Sequence, residues 1–187
     1  MGETTTTYIA LFRGINMGGH KKVAMSDLRD LAVDLGFDDV QTLLQSGNLV
    51  FKCPARAARS LEALLERETA KRLGIGTTVF VRTAADWKKI VAGNPFAEEA
   101  KRDPSHLAVM FLKDKPSAKN VEVLRSAIAG REYFHVRDRE LYAAFPDGFA
   151  KTKFTLPLID RKLETIGTGR NWNTVLKLAR LADTQPY

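Results

Sequence analysis

The feature that most restricts the fold is an order of hydrophobic patterns that occurs twice. The run Tyr8-Ile-Ala-Leu-Phe12 reads as a buried strand. Met25, Leu28, Leu31, Ala32 and Leu35 then recur at helical spacing until Gly36. Residues 40–44 and 49–53 read as a hairpin around Ser46-Gly47-Asn48, closed by Pro54. Ala57, Leu61, Leu64 and Leu65 mark a second helix, broken by Gly74 and Gly76, and residues 77–82 form a β-rich run. Thr83-Ala-Ala-Asp86 has the spacing of a capping box and opens a helix with Trp87, Ile90 and Val91. A proline-containing stretch of mixed charge follows, and then the order begins again. A strand is expected over 106–113 and a helix through Val121, Leu124 and Ile128 to Gly130. A hairpin crosses Arg137-Asp138-Arg139, and Pro146-Asp147-Gly148 is a turn. Residues 149–163 are basic and partly helical, 165–168 a short strand, and a last helix starts near Asn171.

A β-α-β-β-α-β unit is ferredoxin-like, with an antiparallel sheet and both helices on one face. The expected fold is therefore α+β: two similar ferredoxin-like halves with antiparallel or mixed sheets. The first half spans 1–93, a linker 94–105, and the second half 106–187. Thr83 precedes Trp87 by four residues and Thr168 precedes Trp172 by four, which suggests equivalent strand ends with a Trp one helical turn in. The offset between halves shrinks along the chain, so the second half is trimmed.

The strongest chemical pattern is Arg13-Gly14-Ile15-Asn16-Met17-Gly18-Gly19-His20-Lys21-Lys22. Glycines at a strand end let backbone N–H groups face outward, and clustered cations suit an anion. The spacing matches neither the phosphate loop nor the dinucleotide fingerprint, and a plain structural turn is the competing reading. Expected ligand-binding residues are Arg13, Gly14, Asn16, Gly18, Gly19 and Lys21 here, with Ser46 and Asn48 in the hairpin turn. Asn and Gly are also what such a turn needs for itself. In the second half, Lys151, Arg170 and Asn171 are added, the last two before a helix N-terminus. Trp172 can stack on a base, but its spacing to Val175 and Leu176 reads as core.

Arg-Gly-Ile-Asn-Met-Gly-Gly, then Gln45-Ser46-Gly47-Asn48, Asn94-Pro95-Phe96 and Arg170-Asn171-Trp172-Asn173-Thr174-Val175 together resemble the signatures of a bacterial family, the domain of unknown function 1697. The resemblance runs through nearly the whole chain in the same order. It implies a soluble α+β protein of two similar halves and no particular activity.

Charge is spread evenly. The net charge is +7, with 13 Lys and Arg against 10 Asp and Glu in residues 1–93. There is no basic tail, so a polyanion is favoured only weakly. No stretch approaches the ~20 apolar residues of a membrane span, and no basic leader precedes residue 8. A cytoplasmic protein with no membrane association is expected. Cys53 is the only cysteine and reads as a small buried hydrophobe. His20, His106 and His135 lack metal-ligand spacing, so neither a metal nor a cofactor is expected.

Three functions stand open. The first is a binding module for a phosphate-bearing or other anionic partner, a nucleotide or RNA included. The second is an enzyme on a small anionic metabolite, with Arg13 and Lys21 as charge clamps. The third is a structural protein that forms a homodimer through sheet edges.

Overall fold

The computed structural model describes residues 4–19 and 21–183. In the first half β1 (Thr5–Phe12) is followed by α1 (Met25–Asp34), β2 (Asp38–Leu43), β3 (Asn48–Pro54), α2 (Ala58–Leu73) and β4 (Val79–Thr83). The sheet order is β2-β3-β1-β4, with every neighbour antiparallel. This is the split β-α-β arrangement of a ferredoxin-like unit. Tyr8, Ala10 and Phe12 alternate onto the face that meets Leu28, Leu31, Leu61 and Leu65 of the helices. Ile9 and Leu11, on the opposite face, are buried too, which is why β1 reads as an unbroken apolar run. Gly74 ends α2 at φ +67, a left-handed position without the clash a Cβ would bring.

The helix α3 (Ala84–Ala92) opens as its sequence indicates. Thr83 Oγ1 accepts from the Asp86 amide at 3.0 Å, and the Thr83 hydroxyl donates to Asp86 Oδ2 at 2.8 Å. Residues 94–106 hold α4 (Ala97–Arg102) and a single 3-10 turn, Pro104–His106.

The second half repeats the plan with β5 (Leu107–Leu112), α5 (Ala118–Ser126), β6 (Tyr133–Arg137), β7 (Glu140–Ala144), α6 (Leu156–Leu163) and β8 (Gly167–Asn171). Its sheet order, β6-β7-β5-β8, is the same and again wholly antiparallel. The trimming falls on the second helix: α6 has 8 residues where α2 has 16. The last helix is α7 (Trp172–Asp183). By its contacts the chain divides into two compact units, residues up to Lys89 together with those from Leu178 on, and Ile90–Lys177. Among the described residues no helix is long and apolar enough to cross a membrane.

The register corrects one sequence landmark. Thr83 pairs with Tyr8, and the residue that pairs at the matching place in the second sheet is Asn171, opposite Ala108. Asn171, not Thr168, caps the following helix, its Oδ1 accepting from the Thr174 amide at 2.9 Å. Thr168 lies mid-strand opposite Phe111. The residues that occupy equivalent places are Arg82 and Arg170, both buried. Each donates from Nη1 to the carbonyl of the residue before it, at 3.0 Å to Val81 and 2.8 Å to Gly169.

β4 and β8 end their sheets, and their amides are taken by acids from their own half. Glu66 and Glu62 of α2 accept from the Val79 and Val81 amides at 2.8 and 2.9 Å. Asp160 of α6 accepts from the Gly167 amide at 2.9 Å. Covering the outer edge in this way protects a terminal strand from pairing with another chain.

Tyr142 on β7 is buried and donates to the Ile90 carbonyl at 2.8 Å. Burial, with Glu140 nearby, pushes its phenol up to about 12. The folded state thus keeps a proton that the unfolded chain releases near pH 10. Stability from the neutral phenol is full below pH 10 and falls as pH rises from about 10 to 12. Tyr142→Phe is expected to be less stable at neutral pH but to lose less between those pH values. Urea midpoints across the alkaline range check this, and parallel alkaline slopes for the two proteins would refute it.

Candidate functional site

The opening loop of the first half is built around Asn16. Its Nδ2 donates to the carbonyls of Val23 at 2.9 Å and Gln45 at 2.8 Å. Its Oδ1 accepts from the Val23 amide at 2.7 Å, and its own amide donates to the Lys21 carbonyl at 3.0 Å. The side-chain amide is thus engaged inside the protein, closing the loop on itself and onto the hairpin turn. Arg13 is tied at the root: its amide donates to the Thr78 carbonyl, and its carbonyl accepts from Thr77 Oγ1 at 2.8 Å. Gly14, Asn16, Gly18, Gly19 and Lys21 all have positive φ. Gly14, Gly18, Gly19 and Lys21 are exposed and Arg13 is half-buried. His20 lies outside the described residues.

The hairpin turn packs directly beneath. A Cβ on Gly47 would sit 2.4 Å from Ile15 Cδ1 and 2.9 Å from Phe12 Cβ, so only glycine fits there. Asn48 is buried, and its Nδ2 donates to the Leu43 carbonyl at 2.7 Å and to Ser46 Oγ at 3.1 Å. Arg13, Gly14, Asn16, Gly18, Gly19, Lys21, Ser46 and Asn48 therefore belong to one loop-and-turn assembly. Asn16 and Asn48 hold its backbone, while the glycines and Lys21 form its outer rim.

The second-half residues serve different ends. Lys151 is exposed before α6. Arg170 is buried, which brings its guanidinium down to about 10, and Nη1 also donates to Thr168 Oγ1 at 2.9 Å. Asn171 caps α7, and Trp172 is core as its spacing suggests. Asn94 makes a comparable local turn, its Oδ1 accepting from the Phe96 amide at 2.9 Å. Phe80, Phe111 and Cys53 are buried, and burial pushes the Cys53 thiol up.

A cavity of about 250 Å³ in the second half is lined, apart from His106, by residues the sequence did not single out. Glu99, Arg102, Asp103, His106, Arg131 and Tyr133 line it. Asp103 Oδ2 accepts from His106 Nδ1 at 2.9 Å, and Asp103 Oδ1 accepts from Ser105 Oγ at 2.5 Å. The Ser105 bond, with His106 nearby, holds the Asp103 carboxyl below the usual range. Tyr133 donates to Glu99 Oε1 at 2.6 Å, which lowers the Glu99 carboxyl and raises the phenol. The ring of Phe96 meets Tyr133 edge-on at 5.1 Å. The signal available beforehand was Asp-x-x-His over 103–106, hidden in a stretch read as a linker. Among the described residues no group of three or more His, Cys, Asp and Glu side chains is placed to hold a metal ion.

Residues 5–142 match the model of a family described as "Protein of unknown function (DUF1697)". That span holds three of the four signature motifs; the Arg170-Asn171-Trp172-Asn173 motif lies beyond it. Among solved structures, the conserved bacterial protein SP0830 from Streptococcus pneumoniae is similar, with a TM-score of 0.75 and 23% identity. The likeness covers 96% of this chain and 99% of that one and concerns the fold. No curated protein matches the chain.

Proposed function

Because the chain belongs to the DUF1697 family, whose function is unknown, we propose from its own geometry that it is a binding module for a small phosphate-bearing or other anionic ligand, engaged at the opening loop of the first half. The observation that carries this reading is the Asn16 clamp, which ties the loop to Val23 and Gln45. A loop fixed in advance loses little freedom when it binds. Gly14, Gly18 and Gly19 have positive φ, the conformation from which anion-binding nests are built. The two stretches that build the loop and the turn carry no acid: neither residues 4–26 nor residues 40–61 contain an Asp or Glu, and Arg13, Lys21 and Lys22 fall in the first of them. Arg13 stands at the strand end with a planar, two-pronged donor, and Lys21 adds a more mobile charge.

The test is calorimetry with inorganic phosphate and ADP against the wild type and a K21A/K22A double variant. Both lysines are exposed, so the variant keeps the fold. Its affinity is expected to drop about three- to tenfold, the effect of two solvent-screened charges. Equal affinity in the two proteins, or no binding at low salt, would sink the reading. Single-stranded RNA serves as a second probe. If the loop takes a polyanion, log affinity falls linearly with log salt.

A further inference from the structure

The cavity of the second half stands apart from the opening loop in sequence and in chemistry. Its two carboxylates are already engaged, Glu99 by the Tyr133 hydroxyl and Asp103 by Ser105 and His106. Arg102 acts on Glu99 through its charge without a direct ion pair among the described residues, and Arg131 meets Asp147 at 3.2 Å in a solvent-exposed pair, which contributes little and is readily exchanged. The cavity therefore offers guanidinium groups to an anion, while its acids are turned toward protein partners.

His106 adds a second requirement. Its Nδ1 donates to Asp103, so the neutral ring carries its lone pair on Nε2. The His106 side chain is 42% exposed and lines the cavity, with Gly148 beside it: a Cβ there would lie 3.3 Å from Nε2. A ligand that suits both features presents anionic oxygens to the arginines and a hydroxyl hydrogen to the imidazole. The space, about 250 Å³, is below that of a drug-sized pocket and selects a compact molecule.

We propose that this cavity binds a small alcohol bearing a phosphate or carboxylate, its anionic oxygens on Arg102 and Arg131 and its hydroxyl donating to His106 Nε2. The experiment follows the His106 side-chain nitrogens by NMR during titration with glycerol 2-phosphate and, separately, lactate. The two probes distinguish phosphate from carboxylate. Ethylene glycol, which has the hydroxyl without the charge, is the control. A saturable shift with either anion and none with ethylene glycol is expected. An R102Q/R131Q double variant is expected to bind at least about tenfold more weakly. Both arginines are exposed, so an unchanged melting temperature separates lost binding from lost fold. The K21A/K22A variant is expected to leave this response intact, so the cavity and the loop can fail separately. No saturable shift with either anion up to about 10 mM, well past a millimolar Kd, or an undiminished response in R102Q/R131Q, would overturn the proposal.

Discussion

Replacing Glu62 by leucine is expected to cost the first half about 3–5 kcal/mol, the range for breaking a buried pair on one side. The Glu62 and Arg82 side chains are each 3% exposed, with 4.0 Å between Oε1 and Nη1. Glu62 Oε1 also accepts the Val81 amide at 2.9 Å. Leucine removes a charge that faces a buried guanidinium and leaves a strand amide without its acceptor, and both effects act in the same direction. Trp87 lies in the first half and Trp172 at the start of α7. In a W172F background, fluorescence therefore follows Trp87 through urea unfolding. The midpoint should fall sharply in E62L and recover partly in E62L/R82M, where both charges are gone. A loss below about 1 kcal/mol in E62L would show that the pair contributes no more than an exposed one does.

Gly47→Ala is the second large effect. Gly47 has φ +79, a left-handed conformation that costs a residue with a Cβ on the order of 1–2 kcal/mol. The added methyl would also overlap Ile15 Cδ1 at 2.4 Å and Cγ1 at 2.7 Å, and overpacking of this kind typically costs about 1–3 kcal/mol. Together about 2–5 kcal/mol is expected. Gly18→Ala is the internal control. Its φ is +61, but nothing lies within 4 Å of the added carbon, so only the backbone cost of about 1–2 kcal/mol remains. If the two variants melt alike, contact with Ile15 has no energetic weight. Because Ile15 lies inside the opening loop, Gly47→Ala should also loosen that loop. Faster amide exchange at residues 14–19 would show it.

Much of the fold was legible because burial imposes period and glycine imposes stops. The run at Tyr8–Phe12, the hairpin around Gly47 and the Thr83–Asp86 cap all follow from local chemistry, and the structure contains each. The duplication was legible as an order of elements. Its residue-level landmark was not, because the four-residue spacing from Thr168 to Trp172 repeats that from Thr83 to Trp87 without sharing its register. Only strand pairing shows that Arg82 and Arg170 are the true counterparts. The polar signatures have a structural role that a linear sequence does not display. Asn16, Asn48 and Asn171, named from sequence as candidate ligand contacts, each satisfy backbone groups close by, and so does Asn94. Asn is suited to that work because one side chain both donates and accepts. The Asp103–His106 pair escaped notice because its cavity is completed by Arg131 and Tyr133, well separated from it in the chain.

The two glutamates that cover β4 also imply a gauge. Glu62 and Glu66 sit one turn apart on α2, a rise of about 6.0 Å, while the amides they receive, Val81 and Val79, are two residues apart on a strand, about 6.6–6.8 Å. Helix and strand run in opposite directions there and fall in step to within less than 1 Å, a gap that flexible glutamates can absorb. A third rung would double the mismatch. The spacing works as a vernier that reads true over one interval only, and it fixes how far α2 can slide along the sheet. Inserting or deleting a single residue in either element would put both acids out of phase with the strand at once.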